Sequence, residues 1–174
     1  MSLLKRPIIL IGFMGAGKTS VAQALAQNYQ CRFVDLDEHI ASSENMSIPE
    51  IFNQYGEDTF RALEHQYLQQ VIDEYEIVST GGGIISSDET FEFLKTVNAD
   101  IIWLDAPFSV LYTRIKDDQN RPKAKNTPKG TLKNLYSSRV SRYNEIAFMK
   151  VSTNSTFNET IATIEKNISA NDQY

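Results

Sequence analysis

Uniformly apolar stretches alternate along the chain with segments in which apolar residues return every three or four positions. The apolar stretches are Ile8–Ile11, 32–36, 77–80 and 101–104, with a weaker fifth at 148–151. They are short and lack a polar face, as expected of parallel strands buried on both sides. The segments 19–29, 48–54, 58–75, 89–97, 108–116, 132–147 and 159–169 carry the helical period. Strand and helix in alternation predict an α/β fold of three layers built on a five-stranded parallel sheet.

Local chemistry supports several of these boundaries. Ser47-Ile48-Pro49-Glu50 has the Ser-x-x-Glu form of a capping box, with Pro49 in the first turn where a missing N–H does no harm. Ser87 precedes the acidic pair Asp88-Glu89, which suits a helix N-terminus, and Pro107 should start the helix that follows it. The stretch 117–130 breaks both patterns: it has no large apolar side chain, two prolines and four basic groups. It reads as a flap between two helices, unable to contribute to a core. No repeat, linker or low-complexity tract divides the chain, so residues 1–174 are expected to form one domain.

Length and charge narrow the functional classes. A chain of 174 residues can bury a substantial core unaided. A single cysteine, Cys31, excludes a disulfide framework and a cysteine-based metal site. The net charge of −5, with no basic block, gives no nucleic-acid footprint. No apolar run reaches membrane-spanning length, and the first seven residues are too short for a signal peptide. The expectation is a soluble, cytoplasmic monomer with a small-molecule substrate, and neither nucleic acid nor membrane as partner.

Candidate chemistry begins at Gly12-Phe13-Met14-Gly15-Ala16-Gly17-Lys18-Thr19, between the first strand and the first helix. This is a phosphate-binding loop: glycines let successive N–H groups turn inward, Lys18 reaches the β- and γ-phosphates, and Thr19 can coordinate Mg²⁺. The motif specifies a nucleoside triphosphate and leaves the acceptor open. Ligands of such sheets sit at the carboxyl ends of the strands. At the second of these ends, Asp35 and Asp37 stand two apart and are expected on one side of the strand. They either hold Mg²⁺ and an acceptor hydroxyl, or cap the next helix. Arg61 and Glu64, three apart on a helix, form at least an ion pair, which would also preorganise the guanidinium to grip an anion. Gly81-Gly82-Gly83 follows another strand and permits close approach of a ligand. Ser79 or Thr80 stands where many phosphate-loop proteins carry a metal-binding Asp, a role Asp35 could fill.

Taken in order, Gly12 to Thr19, Asp35-x-Asp37, Ser47-Ile48-x-Glu50-Ile51-Phe52, Gly56-Glu57-x-x-Phe60-Arg61-x-x-Glu64, Gly81-Gly82-Gly83, Arg121-Pro122 and Arg139-x-x-x-Tyr143 resemble the shikimate kinase family. The match runs from the first strand to about residue 147. The resemblance implies a P-loop NTPase fold of the nucleoside-monophosphate-kinase type, with shikimate-binding helices at about 37–64. It implies transfer of the γ-phosphate of ATP to the 3-hydroxyl of shikimate. Asp37 would bind and orient that hydroxyl, and Arg61, Arg139 and the Gly82 amide would grip the shikimate carboxylate. ATP would lie on Gly15, Ala16, Gly17, Lys18, Thr19 and Ser20, with Arg114 packed on adenine. Arg121 would close over the phosphates as a catalytic group beside Asp37 and Lys18, Thr19 and Asp35 would serve Mg²⁺, and Phe52 and Phe60 would line the acceptor pocket.

Two other classes make different demands. A related small-molecule kinase acting on gluconate or a nucleoside monophosphate gives no reason for Asp37, Arg61, Gly82 and Arg139 to occur together. A regulatory GTPase requires Asp-x-x-Gly after a strand and Asn-Lys-x-Asp for guanine, and the chain has neither.

Overall fold

The computed structural model describes residues 3–118, 124 and 126–171. Its elements in chain order are β1 (Ile8–Ile11), α1 (Lys18–Tyr29), β2 (Phe33–Asp35), α2 (Leu36–Glu44), α3 (Ile48–Glu74), β3 (Ile77–Ser79), α4 (Asp88–Thr96), β4 (Asp100–Asp105), α5 (Phe108–Ile115), α6 (Lys129–Ile146), β5 (Met149–Ser152) and α7 (Phe157–Asn171). The five strands form one sheet in the order β2-β3-β1-β4-β5, with every pairing parallel.

Side chains of the central strands divide between two cores, as their twofold period requires. Ile8 and Leu10 of β1 join Ile102 and Leu104 of β4 on one face, against α1, α5 and α7. Ile9, Ile11, Ile101 and Trp103 pack on the other, against α2, α3 and α4. All four residues of β1 are fully buried. This is the expected three-layer α/β fold, and it places the ends of β1, β2 and β3 side by side.

The helices at 48–54 and 58–75 are present as two parts of α3, joined at Gly56, whose φ of 86° and ψ of 171° break the helical path. Glycine takes that left-handed conformation without steric cost. The Ser47 capping box forms in full, with Glu50 N donating to Ser47 Oγ and Ser47 N donating to Glu50 Oε2.

Three expectations need correction. Strand β2 ends at Asp35, so Asp37 is not two along a strand from it but lies in the first turn of α2. This helix has no counterpart among the segments picked out by periodicity. Asp35 is its N-cap, accepting from Glu38 N at 3.1 Å, and Asp35-x-x-Glu38 has a recognisable capping spacing. Third, the flap does reach a core: Ala124 is buried in the cluster that holds Phe13 and Leu132. A methyl group is enough to anchor a polar segment. Helix α6 also starts earlier than expected, at Lys129, with Pro128 at its N-cap.

Ser47 satisfies the end of the helix that carries Arg61, so Ser47→Ala is expected to lower stability by about 1 kcal/mol. Urea denaturation of the two proteins measures the difference.

Candidate active site

Three backbone segments meet at the carboxyl ends of β1, β3 and β2. The loop from Gly12 to Gly17 leaves β1, the run Thr80 to Gly83 leaves β3, and Asp35 and Asp37 leave β2. Together they border a hollow of about 180 Å³ lined by Lys18, Thr19, Asp35, Asp37 and Gly82. A second hollow of about 240 Å³ lies on the other side of the loop, bordered by Ala16, Arg114, Thr153 and Phe157. Gly15, Gly17 and Ser20 border both.

Lys18 is buried, and its ammonium donates to the carbonyls of Gly12 at 2.6 Å and Phe13 at 3.0 Å. The loop is thereby wound around its own cation. Thr19 donates to Asp35 Oδ2 at 2.6 Å and lies 3.3 Å from Ser79 Oγ. Asp35 therefore caps α2 with one oxygen, as one of its two readings has it, and meets Thr19 with the other. These are hard oxygen donors facing the phosphate loop, a set that fits Mg²⁺. That ion commonly takes one or two protein ligands and completes its shell with water and phosphate. No group of three or more His, Cys, Asp or Glu residues gathers among the described residues.

The acceptor side is organised by the triple glycine. A β-carbon on Gly81 would lie 2.8 Å from Asp37 Oδ2, and one on Gly82 would lie 3.4 Å from Arg139 Nη1. One on Gly83 would overlap Arg61 Nη2 and lie 2.7 Å from Nη1. Each glycine thus has one of the three candidate side chains against it. Residues from α2, α3 and α6 converge on a backbone ribbon where a methyl group would collide at Gly81 and Gly83 and be tight at Gly82. The structure brings Asp37, Arg61, Gly82 and Arg139 together beside the hollow that holds Lys18.

Charge in this cluster is unbalanced. Arg61 donates to Glu64 Oε1 at 3.0 Å, as expected, and also to Glu57 Oε1 at 3.3 Å. Glu64 is fully buried, and burial pushes its carboxyl up to about 7 against the pull of Arg61, while the charge of Asp37 adds to the push. Arg139 is held below the ordinary guanidinium range by burial, and the nearby charge of Arg61 depresses it further. Two guanidinium groups thus share one cluster in which Glu64 is only a partial counter-charge near neutral pH.

Helix α6 presents Arg139 on the same face as Tyr136 and Tyr143, at spacings of three and four. Tyr136 donates to Asp105 Oδ1 at 2.9 Å, while Arg142 donates to the Ile85 carbonyl and pairs with Asp88. These bonds pin the helix to β4 and to the start of α4. Tyr143 donates to the Gly82 carbonyl at 2.5 Å, a role its place in Arg139-x-x-x-Tyr143 could have signalled. The burial of Glu64 and the part played by Glu57 were likewise missed by sequence reading.

Arg114 bonds Gly15 O at 3.0 Å, Thr153 Oγ1 at 3.1 Å and Thr153 O at 2.6 Å. Its guanidinium is thus fixed at the rim of the second hollow. Phe60 is a core residue with its ring 4.8 Å from that of Phe52, and the Arg61 guanidinium lies over it at 5.2 Å. Arg121 lies outside the described residues.

A family model described as shikimate kinase matches residues 14–169. The chain belongs to the shikimate kinase family. Within that family, the shikimate kinase of Staphylococcus epidermidis is 48% identical over 151 residues, covering 87% of this chain and 88% of the relative. A solved shikimate kinase from Acinetobacter baumannii, in complex with shikimate, superposes with a TM-score of 0.89 at 32% identity, covering 98% of this chain and 96% of that one. A gluconokinase from Sinorhizobium meliloti reaches a TM-score of 0.62 at 16% identity, covering 95% and 92%, a likeness of fold alone.

The raised Glu64 carboxyl has a signed consequence. Its folded-state value of about 7 exceeds the ordinary 4.5, so its stabilising share is complete below about 4.5 and is lost as pH rises through about 7. Between pH 5 and pH 8 the stability of the wild type relative to Glu64→Gln is expected to fall by roughly 2 kcal/mol. Parallel urea titrations at both pH values give that difference, and a flat difference contradicts the burial argument.

Proposed function

We propose that this protein transfers the γ-phosphoryl group of ATP to the 3-hydroxyl of shikimate, giving ADP and 3-phosphoshikimate. The observation that carries the reading is the placement of Asp37, Arg139 and Arg61 along Gly81, Gly82 and Gly83, next to the hollow of the phosphate loop. Two arginines suit bidentate capture of a planar carboxylate, and their mutual repulsion is relieved when that carboxylate arrives. The same arginines would have no partner on an uncharged acceptor.

Phosphoryl transfer passes through a loose transition state, so alignment and charge neutralisation supply most of the catalysis. Asp37 would accept a hydrogen bond from the attacking hydroxyl and take its proton late in the transfer. An ordinary carboxylate is too weak a base to ionise an alcohol beforehand. Lys18, now on the loop carbonyls, would exchange them for the β- and γ-phosphates, and Arg121 would add charge from the flap. The Gly82 amide would join Arg61 and Arg139 on the carboxylate. ATP would lie on residues 15–20, with its base in the hollow beside Arg114.

Thr19 and Asp35 would hold Mg²⁺. When bound, the ion supplies positive charge against the phosphate oxygens. We further propose a monomer acting in the cytoplasm. A lone cysteine suits a reducing compartment, and no helix among the described residues is long and apolar enough to cross a membrane.

ADP release should be measured with shikimate, gluconate and nucleoside monophosphates in parallel. Turnover on shikimate is expected to exceed the others by orders of magnitude, and turnover on gluconate with none on shikimate refutes the assignment. Asp37→Asn is expected to lower turnover by roughly a hundredfold or more while leaving ADP binding intact. Arg139→Ala is expected to raise the shikimate requirement by several kcal/mol and the ATP requirement far less. Steady-state kinetics with each substrate varied separate the two effects.

A further inference from the structure

The three carbonyls of the glycine run are restrained in different ways. Gly81 O accepts from Ile84 N at 3.2 Å and Gly83 O from Ser86 N at 2.9 Å, both within the local turn. Gly82 O accepts from the Tyr143 hydroxyl at 2.5 Å, across 61 residues of sequence. Glycine leaves φ and ψ wide open, so a run of three is the loosest backbone a binding site could use. The bond from α6 removes that freedom at the middle residue.

Tyr143 is itself firmly held. It is fully buried, and its ring lies 5.7 Å from that of Trp103 of β4 with the planes inclined by 30°. One helical turn earlier stands Arg139, whose guanidinium interacts with the phenol oxygen. Because that oxygen gives its proton to Gly82, only its lone pairs remain for Arg139, and a lone pair is what a guanidinium seeks.

We propose that Tyr143 is a positioning residue for the acceptor carboxylate: its hydroxyl holds Gly82 and Arg139 in the mutual geometry that reads that carboxylate. The inference rests on the shikimate kinase reading. Tyr143 touches neither substrate nor phosphate in this account, and it acts through the two groups it bonds. The ring of Trp103 carries the restraint back to the sheet.

Tyr143→Phe keeps the ring stack and removes the bond. Calorimetric binding should be measured on wild type and variant with three ligands: shikimate, the neutral analogue bearing hydroxymethyl in place of carboxylate, and ADP. Shikimate affinity is expected to fall roughly tenfold, as for an orphaned buried carbonyl, and the other two by less than twofold. An equal loss on shikimate and on the neutral analogue marks a merely structural role and overturns the proposal, as does no loss on shikimate. Should the wild type bind both acceptors equally, the carboxylate reading itself fails and the proposal with it, an outcome visible before any variant is made. If Tyr143→Phe does not fold, Trp103→Phe, which leaves the hydroxyl and loosens its support, is expected to show the same selectivity at two- to fourfold. A uniform effect on all three ligands then overturns the proposal.

Discussion

Arg61 and Arg139 are held near enough for each to oppose the other's charge, and both are largely shielded from water. Such a pair persists only because surrounding groups enforce it. Arg61 is held by Glu57 and Glu64 from its own helix, while Arg139 is carried on a helix tied to β4 through Tyr136 and to the start of α4 through Arg142. Burial keeps Glu64 from being a full counter-charge to the two guanidinium groups. Preorganised charge of this kind costs folding stability and returns it as binding selectivity.

The sheet supplies the frame for this cluster. Buried aliphatic strands set β1, β3 and β2 in adjacent positions, and their carboxyl ends deliver the phosphate loop, the glycine ribbon and the acidic pair to one place. The ribbon then decides how closely the reacting groups assemble. With no β-carbons at 81, 82 and 83, side chains from three separate helices approach the backbone itself.

Much of this arrangement was legible in residue order. Strand positions followed from uniform burial, which leaves an unmistakable run such as Ile8–Ile11, and the phosphate loop followed from spacing that few other structures require. Helix α2 was not legible from periodicity because it is nine residues long with only Leu36 and Ile40 buried, too few to establish a period. The capping role of Asp35 was one of two readings left open, because a carboxylate at a strand end suits either task, and its second oxygen meets Thr19. Glu64 read as the ion-pair partner of Arg61 with no sign of its burial, since spacing along a helix says nothing about which face the remaining chain will cover. The anchoring of Ala124 escaped for a related reason: a lone alanine in a polar segment carries no signal of burial.

Gly15, Gly17 and Ser20 form a party wall between the two hollows. A shift of that wall enlarges one chamber at the expense of the other, so a substitution there alters both. Defects introduced in the wall cannot be apportioned between the ligands by kinetics alone. Clean separation requires changes made from the far side of each chamber, at Phe157 or at Gly82, each of which borders one hollow and not the other.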